Sequence, residues 1–182
     1  GTGGMAAVIG KSIDEIEKIL PKLKKLGFIS IANDNADGQV VLSGEMKPID
    51  YLCQNSKEFG IKRAMKLPVS APFHCDLIIN ASEQLSKAII NYDFNRFKYD
   101  FYSNVTSKKI TNSDVSKLLI KQIISRVRWR EIVLNMISDK IDCFIEIGPG
   151  NILSNLIKRI NKDVIAINIS KIEDLDRLKK IG

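Results

Sequence analysis

Residues 67–76, LPVSAPFHCD, contain the only histidine among the 182 residues of the chain, His74. Pro68 and Pro72 stiffen this stretch, because each proline restricts its own φ and pushes the preceding residue toward extended geometry. We therefore expect a short strand, a rigid loop and then a helix that begins near Asp76. Imidazole suits proton transfer near neutral pH, so a histidine held on a rigid loop is a candidate general base. A structural histidine with one hydrogen bond is the alternative.

A general base in covalent catalysis needs a nucleophile within hydrogen-bond reach. Cys75 is adjacent in sequence, but neighbouring side chains of an extended backbone point to opposite sides, so we interpret Cys75 as a small buried group. Ser70 and Ser82 lie in no nucleophile motif, and the serine elbow G-x-S-x-G is absent from the 182 residues. The sequence thus contains a candidate base without a candidate nucleophile.

Four stretches resemble, in the same order, segments of malonyl-CoA:acyl-carrier-protein transacylases and of the acyltransferase domains of fatty acid and polyketide synthases. They are ANDNADGQVVLSG (32–44), LPVSAPFHC (67–75), QIISRVRW (122–129) and FIEIGPGNILSNLIKRI (144–160). The resemblance extends over nearly the whole chain. Any one of these motifs alone is weak evidence, whereas four of them in the family's order are specific.

The resemblance assigns roles to individual residues. His74 corresponds to the catalytic histidine, and Gln122 to the residue whose main-chain carbonyl accepts a hydrogen bond from it in place of the usual aspartate. Because this role uses the backbone, we interpret the Gln122 side chain as replaceable. Phe73 corresponds to a position whose residue type correlates with the acyl group that the enzyme accepts, and a bulky residue there is typical of malonyl-specific members. Asn35, with Asn33, corresponds to the loop facing the active-site cleft, although turn formation alone also explains an asparagine there.

The resemblance also implies which catalytic parts lie elsewhere. In the family, the serine elbow, the arginine that binds the malonyl carboxylate and the glutamine-containing oxyanion loop precede the segment that matches Met5. The chain is then the C-terminal portion of an acyl-carrier-protein S-malonyltransferase of fatty acid biosynthesis, inactive by itself and dependent on the upstream segment. Its partners are malonyl-CoA, as substrate, and acyl carrier protein, with no cofactor. The alternatives are a fragment of a polyketide-synthase acyltransferase domain and a non-catalytic remnant that binds carrier protein.

The amino-acid composition limits the kinds of molecule that the chain is expected to bind. The net charge of +7 comes mostly from dispersed lysines, which is typical of a solvated basic face. Such a face suits an acidic carrier protein, and Lys62 and Arg63 are candidates for that contact. We expect no nucleic acid, because the stretches QVVLSG and IKRAMKLPV lack the aromatic side chains that an RNA-binding sheet needs. No apolar run approaches the ~20 residues of a membrane span. Three scattered cysteines without C-x-x-C predict no metal site and favour the cytoplasm.

The first of two predicted domains covers residues 1–68. Its elements follow the order βαββαβ, which predicts a ferredoxin-like small subdomain. Ser12 and Glu15 form a capping box at the start of the first helix. The polar residues 33–38 predict a hairpin with a loop longer than two residues.

The second predicted domain covers residues 69–182 and alternates helices with strands. Residues 143–147 and 164–169 are predicted strands on either side of a helix, and a further strand is expected near residues 99–105. This alternation predicts a mainly parallel sheet, but only about three strands are present. We therefore expect an incomplete α/β-hydrolase-like layer, the C-terminal part of a catalytic α/β core.

Overall fold

The computed structural model of the chain describes residues 3–180 and shows a mixed α/β protein. It divides into two compact units, Gly1–Ile132 and Val133–Gly182. The predicted domains 1–68 and 69–182 separate the chain by type of fold rather than by compactness, and their boundary stays a prediction. None of the helices within residues 3–180 is long and apolar enough to cross a membrane.

The first unit is built around a four-stranded antiparallel sheet with the strand order β2-β3-β1-β4. Its elements are β1 (Gly3–Ile9), α1 (Ile13–Lys24), β2 (Ile29–Ala36), β3 (Gln39–Glu45), α2 (Met46–Gln54) and β4 (Arg63–Lys66). Successive side chains of a strand point to opposite faces of the sheet. Ala6, Val8 and Leu42 accordingly belong to one buried cluster with residues of α1 and α2, whereas Met5 and Val41 form a smaller cluster.

The start of α1 confirms the predicted capping box. The hydroxyl of Ser12 accepts a hydrogen bond from the backbone N–H of Glu15 at 3.3 Å, and the Glu15 carboxylate accepts one from the Ser12 N–H at 2.8 Å. A hydrogen bond from the Lys11 ammonium, followed by the one from the Ser12 backbone, lowers the pKa of Glu15 to about 2.

The hairpin between β2 and β3 is tighter than the sequence predicts. β2 continues to Ala36, so the turn consists of Asp37 and Gly38, and Gly38 adopts a φ of 71°. The polar residues of the predicted loop belong to the strand because β2 has two register irregularities against β3, one of them between Asp34 and Ala36. A bulge of this kind inserts an extra residue without ending the strand. The prediction of a long loop is therefore wrong.

The rest of the first unit consists mainly of short elements. They are a 3-10 turn (Asp76–Ile78), α3 (Ile79–Ile89), β5 (Phe101–Tyr102), β6 (Lys109–Ile110), α4 (Val115–Gln122) and the start of α5 (Trp129–Ser138). The helix expected near Asp76 thus begins with a tight turn. The strand expected near residues 99–105 is β5, which pairs with β6 in an antiparallel hairpin rather than joining a parallel sheet.

The second unit contains one parallel pair of strands. β7 (Cys143–Ile147) and β8 (Ile165–Ile169) pair in parallel and are connected through α6 (Ile152–Ile160). A 3-10 helix, Ile172–Lys180, follows. Both strands lie within one residue of their predicted positions, and the predicted helix lies between them. Several apolar side chains of this pair stay exposed, and that of Ile147 is 84% exposed.

A carboxylate of β7 fixes the start of α6. The two oxygens of Glu146 accept hydrogen bonds from the backbone N–H groups of Leu153 and Ser154 at 3.0 and 2.8 Å, and from the Ser154 hydroxyl at 2.8 Å. Burial raises the pKa of the Glu146 carboxyl, but these hydrogen bonds outweigh burial, and the pKa lies below its ordinary value. Glu146 thus satisfies N–H groups that a helix start leaves without partners.

Candidate active site

His74 lies on a loop whose backbone has an uncommon conformation. Its φ is 60°, in the left-handed region that few residues other than glycine adopt. The backbone N–H of His74 donates to the carbonyl of Ile123 at 3.1 Å, which helps to hold this conformation. Strained residues of this kind cost on the order of 1–3 kcal/mol and cluster at functional sites. The expectation of extended backbone at His74 is therefore wrong, although Cys75 itself is extended, with φ −150° and ψ 168°.

The imidazole of His74 faces the end of α4. Its Nδ1 lies 3.0 Å from the main-chain oxygen of Gln122. A carbonyl can only accept a hydrogen bond, so Nδ1 carries the hydrogen in the neutral ring and Nε2 presents its lone pair. A general base acting through Nε2 requires this tautomer. The structure therefore brings together the two residues that the resemblance pairs.

Two consecutive carbonyls hold His74 because α4 ends where they lie. The last carbonyls of an α-helix have no partner within the helix. The Gln122 carbonyl accepts from the imidazole, and the Ile123 carbonyl accepts from the backbone N–H of His74. The C-terminal end of a helix also carries a partial negative charge, which favours a positive charge on a nearby ring. The helix end can thus orient the base without a carboxylate.

His74 lines a cavity of about 490 Å³ in the first unit. The other walls come from the start of β2, from Cys75 and from Ile124, while Lys24 and Arg126 add positive charge. A larger cavity of about 810 Å³ lies in the second unit, but none of the predicted site residues lines it. We regard the smaller cavity as the candidate active-site cavity because His74 is one of its lining residues.

Cys75 is buried beneath the loop, as the sequence predicts. Its side chain is 2% exposed, its thiol donates to the carbonyl of Pro72 at 3.1 Å, and its sulfur accepts from the Ser43 hydroxyl at 3.5 Å. The thiol is therefore engaged on the inner side of the loop. Within residues 3–180, no group of three or more His, Cys, Asp or Glu side chains is arranged to hold a metal ion.

Phe73 and Asn35 lie apart from the His74–Gln122 contact. Phe73 directly precedes His74 and is 41% exposed. Asn35 is half-buried at the second irregularity of β2. Neither residue is among those lining the cavity that contains His74. The substrate-side roles of Phe73 and Asn35 stay predictions.

Sequence reasoning missed an ion pair beside Asn35. The Asp34 side chain is 1% exposed, and its two oxygens accept from Nε of Arg130 at 3.1 and 3.0 Å. This hydrogen bond raises the pKa of the Arg130 guanidinium, although burial acts in the opposite direction. The backbone of Val127 also pairs with β2, donating to the Ala32 carbonyl at 2.8 Å and accepting from the Asp34 N–H at 2.9 Å. The arginine-rich stretch RVRWR is the sequence signal for ion pairs here, with Arg126 and Arg128 on either side of Val127 and Arg130 in the first turn of α5.

Comparison with known proteins finds close relatives of this chain. No family model matches it. It is 35% identical over 178 residues to the malonyl CoA-acyl carrier protein transacylase of Bacillus subtilis, covering 97% of the chain and 56% of that protein. The enzyme of the same name from Staphylococcus aureus is 38% identical over 177 residues, covering 96% of the chain and 58% of the relative. The chain thus spans somewhat more than half the length of these curated relatives.

Solved structures agree with these relatives. The malonyl CoA-acyl carrier protein transacylase from Clostridium perfringens superimposes with a TM-score of 0.94 at 36% identity, covering all of this chain and 58% of that one. A malonyl-transacylase in complex with a type II polyketide synthase acyl-carrier protein gives a TM-score of 0.94 at 29% identity, covering all of this chain and 59% of that one. The likeness therefore extends over the entire chain in both sequence and structure.

Proposed function

This chain belongs to the family of malonyl CoA-acyl carrier protein transacylases, and on that basis we propose that it forms the C-terminal portion of an acyl-carrier-protein S-malonyltransferase. The enzyme moves a malonyl group from coenzyme A to the phosphopantetheine thiol of acyl carrier protein in cytoplasmic fatty acid biosynthesis, without a cofactor. The observation that carries the proposal is the 3.0 Å contact between Nδ1 of His74 and the Gln122 carbonyl, which leaves Nε2 available as the base.

The chemistry divides into two half-reactions with His74 as proton carrier. In the first, Nε2 takes the proton of a serine hydroxyl while the serine oxygen bonds to the malonyl carbonyl carbon, and the coenzyme A thiolate leaves with the proton from Nε2. In the second, Nε2 takes the proton of the carrier-protein thiol and the sulfur bonds to the malonyl carbonyl carbon. The bond between that carbon and the serine oxygen breaks, and the serine oxygen takes the proton from Nε2. The serine, the carboxylate-binding arginine and the oxyanion donors come from the part of the family that precedes this chain.

An uncharged partner for the base suits this reversible transfer. The carbonyls of Gln122 and Ile123 orient His74 in both half-reactions, and the end of α4 stabilises the imidazolium formed in each. A carbonyl cannot exchange its role with the ring, because it never carries a proton. His74 therefore keeps the same tautomer at the beginning of each half-reaction.

The remaining predicted residues fit the substrate side of this reaction. Phe73 is exposed beside the base and limits the size of the acyl group, and Asn35 lies on the bulged strand that faces the substrate. Lys62 and Arg63 are exposed at the edge strand of the sheet, where positive charge favours an acidic carrier protein. The relative whose structure is a complex with an acyl-carrier protein supports a carrier partner for this chain as well.

The finer architecture follows from the same proposal. Residues 1–68 form a ferredoxin-like subdomain, which is supported by the βαββαβ order and by a sheet in which every neighbouring pair is antiparallel. Residues 69–182 form part of an α/β-hydrolase-like core, which is supported by the parallel pair β7–β8 connected through α6. The upstream segment of the enzyme supplies the other strands of that core.

A second candidate function differs from the first only in the pathway that the enzyme serves. The chain matches a malonyl-transacylase that acts with a type II polyketide synthase carrier at 29% identity over its whole length. A transfer to polyketide carrier proteins is therefore the second candidate function. The chemistry at His74 is the same in both cases, and only the choice of carrier distinguishes them.

The test is to complete the enzyme and to look for the acyl intermediate. The chain is expressed fused behind the part of the Bacillus subtilis relative that it does not match, and separately by itself. We expect radiolabelled malonyl-CoA to label a serine of the supplied part, and the label to pass to holo carrier protein. The chain by itself should carry no label, because it contains no G-x-S-x-G. Fatty acid and polyketide carrier proteins compete in the same assay to separate the two pathways.

Two results would contradict the proposal. A stable malonyl adduct on the chain by itself, mapped to Cys75 or to a serine, would show that the nucleophile is not missing. A completed protein that binds carrier protein but forms no acyl intermediate would instead indicate a carrier-binding remnant. A Cys75→Ala variant is the matched control, and labelling of the completed enzyme should survive it because the thiol is buried.

A further inference from the structure

Several carbonyls at the end of α4 accept hydrogen bonds from residues outside the helix. The carbonyl of Ile120 accepts from the Ser82 hydroxyl at 2.9 Å. The carbonyls of Gln122 and Ile123 accept from the ring and the backbone of His74. Three carbonyls of the final turn therefore contact one stretch of chain that runs from His74 into α3.

Ser82 connects α3 directly to the helix end that orients His74. It lies on α3 eight residues after His74, and its side chain is 5% exposed. A serine inside a helix usually bonds to a carbonyl of its own preceding turn. The hydroxyl of Ser82 instead donates to a carbonyl of α4, so it holds the two helices at a defined distance. A shift of α4 along α3 would move the Gln122 carbonyl away from Nδ1.

Asn104 holds the same helix end from another side. Its amide nitrogen donates to the side-chain oxygen of Gln122 at 3.4 Å. Asn104 is itself fixed, because its carbonyl accepts from the Arg128 backbone N–H at 3.2 Å. The turn that contains it is closed by the Ser103 N–H donating to the Lys108 carbonyl at 3.0 Å. The side chain of Gln122 is therefore tied to a rigid turn, which resists rotation of the Gln122 peptide.

We propose that Ser82 and Asn104 are positioning residues that hold the Gln122 carbonyl against the imidazole of His74. This inference rests on the proposed function, because it concerns the base of that reaction. A neutral carbonyl orients a ring only through a directional hydrogen bond, and hydrogen bonds weaken steeply as their angle departs from linearity. A base oriented by a carbonyl therefore depends more on the rigidity of its support than one oriented by a carboxylate. The Gln122 side chain is then not freely replaceable, in contrast to the sequence interpretation.

The tautomer of His74 measures this positioning directly. Because His74 is the only histidine, the ¹⁵N resonances of the imidazole in the labelled 182-residue chain belong to this one ring. We expect the Nδ1–H tautomer to dominate in the wild type. Ser82→Ala and Asn104→Ala should each raise the fraction of the Nε2–H tautomer about two- to fivefold, as expected for weakening one hydrogen bond. Ser82→Thr, which retains the hydroxyl donor, should restore the wild-type ratio.

Matched controls separate positioning from general destabilisation. Ser86→Ala lies one turn further along α3, and Asn112→Ala removes an amide that donates to the Phe94 carbonyl at 3.2 Å, away from Gln122. Both controls should leave the tautomer ratio unchanged. Gln122→Met removes the acceptor of the Asn104 hydrogen bond and should change the tautomer ratio as Asn104→Ala does. It keeps the test decisive if Asn104→Ala does not fold.

The outcomes distinguish this inference from the proposed function. An unchanged tautomer ratio in Ser82→Ala and Asn104→Ala, with a lowered unfolding midpoint, would show that both residues only stabilise the fold and would overturn the inference. In the completed enzyme, the same variants should lower kcat while KM for malonyl-CoA stays within about twofold, because they act on the base rather than on substrate binding. A completed wild-type enzyme without transferase activity, but with the expected tautomer shifts, would contradict the proposed function and leave the positioning of His74 supported.

Discussion

The two compact units of this protein bury their sheets to very different extents. In the first unit, Val8, Leu42 and Leu52 have no exposed side-chain surface, and helices cover one face of the four-stranded sheet. In the second unit, the two strands of the parallel pair expose Ile145, Ile147 and Ile165 to solvent. Leu156, Ile157 and Ala166 of the second unit are also buried, so both units have an apolar interior, but the strands of the second unit leave more apolar surface exposed.

This difference follows from how each sheet is connected. In the first unit, the helices α1 and α2 connect strands of the antiparallel sheet and pack on one of its faces. The apolar side chains of that face are therefore buried by nearby parts of the same chain. Parallel strands are normally buried on both faces, and a pair of them cannot cover itself. The hydrogen bonds that hold His74 are made entirely within the first unit. We propose that the second unit belongs to a larger core, since the chain spans somewhat more than half the length of its relatives.

The largest predicted effect tests whether the chemistry lies in the first unit. In the completed enzyme, His74→Ala should lower malonyl transfer by roughly 10³-fold or more, as expected for loss of a catalytic base, with little change in the unfolding midpoint. Ser154→Ala in the second unit removes a hydroxyl that donates to Glu146 and should change transfer by less than about twofold. Steady-state transfer assays on both variants measure the difference. Wild-type turnover in His74→Ala would refute the assignment of the base.

The next prediction compares the two sheets by stability. Leu42→Ala should lower the free energy of unfolding of the first unit by about 2–5 kcal/mol, because it leaves a cavity in a closed core. Ile147→Ala should change the stability of the isolated chain by less than about 0.5 kcal/mol, because its side chain contacts mostly solvent. Denaturant unfolding of the isolated chain measures both changes. In the completed enzyme, a larger cost for Ile147→Ala would indicate that the supplied segment covers β7.

A smaller effect is expected on acyl selectivity. Phe73→Ser enlarges the space beside His74 and should raise the use of methylmalonyl-CoA relative to malonyl-CoA, with an upper bound of about 1–3 kcal/mol for one methyl group. Competition between the two thioesters in the completed enzyme measures the ratio. Leu77→Ser is the control, because Leu77 is about as exposed as Phe73 but follows the base. An unchanged ratio in Phe73→Ser would mean that Phe73 does not face the acyl group.

The smallest predicted effect concerns the cap of α6 in the second unit. The pKa of Glu146 is lowered in the folded chain, so its contribution to stability is present above the ordinary carboxyl pKa of 4.5 and is lost as the pH falls through the lower folded value. Glu146→Gln should reduce stability at neutral pH by up to about 1 kcal/mol, as for other capping residues. The difference from the wild type should shrink in acid. Unfolding midpoints at neutral and acidic pH check this, and a difference independent of pH would show that the charge of Glu146 is unimportant.

The local signals of the sequence predicted most elements of the fold. The capping box at Ser12 and Glu15 started α1 as expected, because both of its partners lie within four residues. The two strands of the second unit lie close to their predicted bounds, because their apolar runs mark them without reference to distant residues. The prediction of a long hairpin loop was wrong because Asn and Asp residues are typical of loops. In the structure, β2 pairs with β3 on one side and with Val127 on the other, and this pairing keeps these residues in a strand.

The sequence by itself predicted the mixed α/β class, the family and a candidate base, since His74 is the only histidine and its flanking motif is specific. Only the tertiary structure decided how that base is held. The left-handed backbone at His74, its two carbonyl partners and the supports from Ser82 and Asn104 join residues that are 18 to 49 positions apart in the chain. Propensity and periodicity report on neighbours within one or two turns, whereas a hydrogen bond depends on the distance and angle that two separately formed elements adopt when they pack.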